Sequence, residues 1–275
     1  MPGPLRPTRD AWARDRLDTL EEQYSECRLC PDMVDTGWWT RNNIVFGEGM
    51  ANADVVFVGI APGQREDAAG LPFVGLTGQL LDDMLLHMVP HENLKPFHNT
   101  RKTITGEQWR GIRHTLCEAE CFFYTNAVLC RPVKQEWDDR KEVMRLENRD
   151  PTLLEGKNCA ERLRRTIYLT DPTLVISLGA PALHSLLALD TKWKGSRPSV
   201  LEMAGSILDL HLEGEATTVR YPLLVLPHPA YLLRFWDIDD PTGWVQRTVK
   251  HLKQGLRIVD LTRNTLYQTS IPKRK

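Results

Sequence analysis

Hydrophobic positions change period several times along the chain. Residues 9 to 25 carry Trp12, Leu17, Leu20 and Tyr24 at helical spacing on a charged background, which predicts one amphipathic helix leading into Cys27. Residues 54 to 59 (DVVFVG) form a short β-branched apolar run ended by a Gly/Pro loop, the pattern of a parallel strand buried on both faces. Helical periodicity follows at 79 to 88. A polar stretch from about 89 to 120 reads as an insertion with a helix over 106 to 120. Strands are expected at 122 to 129, 173 to 178 and 223 to 226, with helices at 160 to 169, 180 to 189 and 242 to 255. A charged excursion spans 131 to 158, and the alternation around Gly214 predicts a small hairpin. Four β-α units in series imply a three-layer α/β/α domain on a four-stranded parallel sheet. Such sheets place their sites in the loops leaving the carboxyl ends of the strands.

Length and composition narrow the picture. A chain of 275 residues with 41% hydrophobic positions supports one substantial core with insertions. The balance of 35 Lys and Arg against 36 Asp and Glu excludes a globally basic nucleic-acid coat, so any such contact is local. The most basic stretch is 246 to 275, with eight Lys or Arg against Asp260, and it reads equally as a phosphate-contacting region or as a solvated helix face with a disordered tail. No run reaches the roughly 18 apolar residues of a membrane span, and the start lacks the apolar core of a signal peptide. A cytoplasmic, monomeric protein is expected. In that reducing compartment the six cysteines are better read as metal or cluster ligands than as disulfides.

Three strand-end loops carry candidate chemistry. The first, from Gly59, has closely spaced glycines (Gly59, Gly63, Gly70, Gly75, Gly78) that let backbone approach a ligand. It matches neither GxGxxG nor GxxxxGK[ST], which weighs against a nucleotide cofactor. Within it Glu66 and Asp67 are acidic, and Phe73 is equally a core aromatic or a stacking surface. The second loop (TNAVLCRP) places Asn126 in an apolar strand, where a side-chain amide offers the donor and acceptor needed to read a pyrimidine edge. In the third (PHPAYLLR), two prolines hold His228 at the end of a strand. Cys27-x2-Cys30 has ligand spacing; its partners are either Cys130 and Cys159 or the C-x3-C pair Cys117 and Cys121. Spacing leaves that choice open and does not separate zinc from an iron-sulfur cluster.

Taken in order, VVFVGIAPGQREDAAGLPFVGLTGQLLDDML, TNAVLCRP and PHPAYLLR resemble the family 4 uracil-DNA glycosylases, the iron-sulfur branch of their superfamily. The resemblance runs from about Cys27 to Lys253 and makes residues 27 to 255 one domain, after an N-terminal extension (1 to 26) and before a basic tail (256 to 275). The stretches near 89 to 120 and 133 to 157 are longer than the family usually carries. The likeness implies a monofunctional glycosylase acting on uracil-containing DNA in base excision repair, with a structural 4Fe-4S cluster on Cys27, Cys30, Cys130 and Cys159. It also implies a division of labour. Phe73 stacks on the flipped base, Asn126 reads its edge, His228 meets O2 of the leaving uracil, and Gly59, Ile60, Ala61 and Gly63 line the pocket. Glu66 positions water or the deoxyribose, while Leu232, Leu233 and Arg234 enter the minor groove or hold a phosphate. The family usually has Glu where this chain has Ile60, which removes a water-activating carboxylate. A related branch captures uracil-DNA through a His in the loop after the second motif, a loop without His here. Two rivals remain: a uracil-DNA-binding module that has lost activity, and a zinc-stabilised nucleotide-binding or scaffold protein.

Overall fold

The computed structural model describes residues 8–86, 106–235, 240 and 242–270. In chain order these form α1 (Arg9–Tyr24), β1 (Glu48–Gly49), β2 (Val55–Gly59), α2 (Gln64–Ala69), α3 (Leu76–Leu86), α4 (Gly106–Glu120) and β3 (Phe122–Asn126). A two-stranded excursion, β4 (Val133–Asp138) and β5 (Val143–Asn148), comes next. The chain then continues through α5 (Leu153–Thr170), β6 (Leu174–Leu178), α6 (Ala180–Leu189), α7 (Val200–Met203), β7 (Ile207–Glu213), β8 (Thr218–Leu226), α8 (Pro229–Leu232) and α9 (Trp244–Ser270). The expected stretch from 89 to 105 lies outside the described residues. Among those described, no helix is long and apolar enough to cross a membrane.

The sheet has six strands in the order β1-β3-β2-β6-β8-β7. Its four central strands are parallel, as the β-α repeats predict, and an antiparallel strand closes each edge. The apolar period foresaw the parallel strands, and the alternation around Gly214 foresaw the hairpin of β7 with the start of β8, whose strand from 218 runs without a break into the one at 223. Of the six strands, β1, two residues long, carries no such signal. Alternate residues of each central strand enter two separate cores. Val56, Val58, Val175 and Val225 join α1, α5 and α6 on one face, while Val55, Phe57, Ile176 and Leu224 join α3, α4 and α9 on the other. A buried parallel sheet between two helical layers follows from that partition.

Two helices are longer than their periodicity predicts. α5 starts at Leu153 because Thr152 caps it and Glu155 accepts the Thr152 amide, a T-x-x-E box legible in the sequence. α9 passes through Gly255, the last residue of the helix expected over 242 to 255. A Cβ there would lie 2.8 Å from Leu224 Cδ2, so this glycine permits close packing on the sheet and does not end the helix. The basic tail expected from 256 is therefore helical to Ser270. Arg263 pairs with Asp54, just before β2, so these later turns stand at the opposite edge of the sheet from the strand-end loops.

Candidate active site

β2 and β3 end in register, with Gly59 opposite Asn126, and the pairing continues as Ala127 N–H donates to the Gly59 carbonyl. Chain order reverses across β2: β3 lies on one side and β6 on the other, which makes the β2–β6 crevice the switch point where α/β sheets bind ligands. Three predicted residues meet there. A Cβ on Gly59 would fall 2.3 Å from Asn126 Oδ1 and 2.6 Å from the Phe73 ring, so only glycine lets the two side chains close over the strand end. Asn126 is 3% and Phe73 5% exposed. Phe73 has φ of 56°, a conformation that costs a non-glycine residue free energy and marks a constrained ring. Behind it lies Tyr124, 5.9 Å away, itself stacked on Phe57 and covered by the Arg113 guanidinium at 4.0 Å. Arg113 in turn forms a fully buried bidentate pair with Asp82.

On the other side of the crevice, the Cβ position of Gly179 lies 2.9 Å from His228 Cβ and 3.2 Å from Ile60 Cδ1, which brings the first and third loops together. His228 caps α8, its Nδ1 accepting from Ala230 N–H at 3.2 Å. That bond assigns the proton to Nε2. Burial pushes the imidazole down to about 4, so at neutral pH the ring is uncharged and donates through Nε2.

Other predicted residues hold the walls. Glu66 Oε2 accepts from Gly63 N–H at 3.1 Å and Oε1 from Gly75 N–H at 3.0 Å, tying both ends of the first loop. The Gly63 amide is thereby committed to Glu66. Beside it stands Asn148, not foreseen from sequence, whose Nδ2 lies 3.4 Å from the Cβ position of Gly63 and whose Oδ1 accepts from Arg131 Nε at 2.7 Å. Ile60 and Ala61 are half-buried. Leu232 corrects the expectation of a groove contact: it is fully buried in the core and anchors α8, leaving half-buried Leu233 and exposed Arg234 on the outside.

Cys27, Cys30, Cys130 and Cys159 line one pocket with Arg41 and Asn158. Arg41 Nη1 donates to Cys130 Sγ at 3.1 Å and Asn158 Nδ2 to Cys30 Sγ at 3.3 Å, bonds that favour sulfur in its anionic form. Burial pushes the Cys130 thiol up to about 11, which disfavours a bare thiolate. All-sulfur donors with hydrogen bonds aimed at them fit a soft metal group. Among the described residues, no three His, Cys, Asp or Glu are placed to hold a single metal ion. Cys117 lies in the core on the other face of the sheet, away from this pocket.

The chain belongs to the uracil DNA glycosylase superfamily of base-excising enzymes, whose family model matches residues 46–253. Within it the chain is a type-4 enzyme, a DNA glycosylase and hydrolase. A type-4 uracil-DNA glycosylase of Thermotoga maritima is 28% identical over 218 residues, covering 79% of this chain and 83% of its own. That of Pyrobaculum aerophilum is 30% identical over 218 residues, 79% and 85%. The Saccharolobus solfataricus enzyme is 29% identical over 221 residues, 80% and 78%.

Proposed function

We propose that the protein hydrolyses the N-glycosidic bond of deoxyuridine in DNA, leaving an abasic site, and so begins the repair of deaminated cytosine. The observation that carries this reading is the convergence of Phe73 and Asn126 on Gly59, across the crevice from His228. A uracil flipped from the stack lies on Phe73 while the Asn126 amide pairs with O4 and N3. Cytosine exchanges donor and acceptor at those positions and is refused. As the glycosidic bond stretches, charge grows on the departing base and the sugar becomes oxocarbenium-like. Neutral His228 donates Nε2–H to O2, a bond that strengthens as that charge develops. Ile60 supplies no base for water, so leaving-group stabilisation carries most of the catalysis. Glu66 acts through the loop it ties, and Leu233 and Arg234 face the DNA beside the flipped nucleotide.

Cys27, Cys30, Cys130 and Cys159 are the residues to hold a 4Fe-4S cluster, which supplies a structural tie and an anionic centre when bound. Their shared pocket and the hydrogen bonds to Cys30 and Cys130 support that assignment. Protein purified without air is expected to contain iron and acid-labile sulfide; stoichiometric zinc with no sulfide rejects the cluster. The reaction is tested by single-turnover base release from uracil-DNA against thymine-DNA of the same sequence. Selective binding with no released base would instead establish the inactive binding module, with Ile60→Glu as the restoring variant.

A further inference from the structure

Arg162 is a buried cation without a carboxylate. It is wholly excluded from solvent, and among the described residues no Asp or Glu pairs with it. Its Nη2 donates to the main-chain carbonyls of Asn126 at 2.6 Å and Ala127 at 3.0 Å, and its Nη1 to Thr125 Oγ1 at 3.0 Å. Among the described residues its Nε has no hydrogen-bond partner. Burial works against its charge, and the neighbours that offset this are Cys159, three residues earlier on α5, then Tyr24 and Cys130, two of them sulfurs of the cysteine pocket. A buried guanidinium with no counter-charge is unfavourable. Sulfurs kept deprotonated by a bound metal group supply that charge.

We propose that Arg162 is a positioning residue that couples the thiolate pocket to uracil recognition: the anionic sulfurs of the occupied pocket hold its guanidinium, and the guanidinium holds the main chain of Asn126. This inference rests on the cluster and the uracil-reading role of Asn126 assigned above. Physically the link is short. Cys159 lies three residues, almost one helical turn, before Arg162 on α5, so a sulfur fixed by metal fixes the turn from which the fork reaches β3. The fork matters as much as the charge, because three acceptors at the end of β3 are bound by two terminal nitrogens at once.

The test uses the full chain and two variants, Arg162→Gln and Arg162→Lys. Three quantities are read: iron and sulfide per chain, the rate of iron loss to a chelator, and binding to DNA carrying non-hydrolysable 2′-fluoro-deoxyuridine relative to thymine-DNA. For Arg162→Gln, iron is expected to leave faster and the preference for the uracil analogue to fall, each by about tenfold. Arg162→Lys keeps a charge but not the fork, so it is expected to hold iron nearly as long as the wild type yet lose the preference. Wild-type preference in Arg162→Lys, or in a folded Arg162→Gln, overturns the coupling. So does an Arg162→Lys protein that loses both properties alike, as a merely structural defect would make it. Failure of the underlying reading has a different signature: wild-type protein with no iron or sulfide, or with no preference for the uracil analogue.

Discussion

Single residues divide here by what closes over them. Gly59→Ala puts a methyl into the contact between Asn126 and Phe73, and a displacement near 1 Å in such a site costs about 10²-fold in rate. Single-turnover release should show that loss, and the overpacking of about 1–3 kcal/mol should lower the melting temperature by several degrees as well. His228→Ala should lower release by about 10²- to 10³-fold and leave binding to the 2′-fluoro analogue nearly intact, since the lost bond matters most in the transition state. Acidity offers a separate check. With its folded value held down to about 4, His228 stays neutral as pH falls, whereas in the unfolded chain it takes up a proton near 6.5. The unfolded state thus binds more protons between those values, and this residue's contribution to stability is present above pH 6.5 and lost on acidification toward 4. Wild-type melting temperatures should fall faster over that window than those of His228→Gln, and base release should keep its imidazole donor to below pH 5. Asn126 was legible as the amide that ends an apolar strand, and Phe73 as the aromatic in the glycine-rich segment that follows β2, between α2 and α3. Asn148 and Arg162 were not, since a polar residue in a charged stretch gives no sign of which buried group it reaches.

Among the elements, the parallel strands and most helices followed from apolar period, and the departures share a cause: local chemistry outweighed periodicity. α5 gained seven residues at its start from a cap and not from an apolar face, with Arg149 adding a bidentate ion pair to Glu155. Thr152→Ala should therefore cost about 1 kcal/mol, a fall of a few degrees in melting temperature without change in the rate of release. The β4–β5 hairpin was read only as a charged excursion because its apolar residues are not buried. Trp137, 53% exposed, and Met144 pair across the strands and remain open to solvent. No residue of the hairpin beyond Val133 is buried, so replacing 135 to 146 by a short turn should leave the melting temperature within a few degrees of wild type.

At the scale of the molecule, charge is arranged by distance from the pocket and not by its density in the sequence. The run from 246 reads as a phosphate-contacting region or a solvated face; α9 carries Arg247 to Arg263 of it along the sheet, while Lys273, Arg274 and Lys275 lie outside the described residues. Arg247 lies over Trp244, which packs against Tyr231 beside the third loop, whereas Arg263 is bound to Asp54 at the far edge. Replacing Arg247 by Gln should reduce the slope of log affinity against log salt by about one, and the same change at Arg257 should leave it unaltered. Titrations of uracil-DNA from low to moderate salt decide between the two positions. The far placement of the Arg263 turn has a practical consequence. β2 alone spans about 17 Å between Asp54 and Gly59. A bead or dye attached to the exposed face of α9 near Arg257 would stand a strand's length or more behind the mouth of the crevice. Immobilised this way, the protein would present its working face outward, as a reagent for fishing uracil-bearing fragments from a mixture.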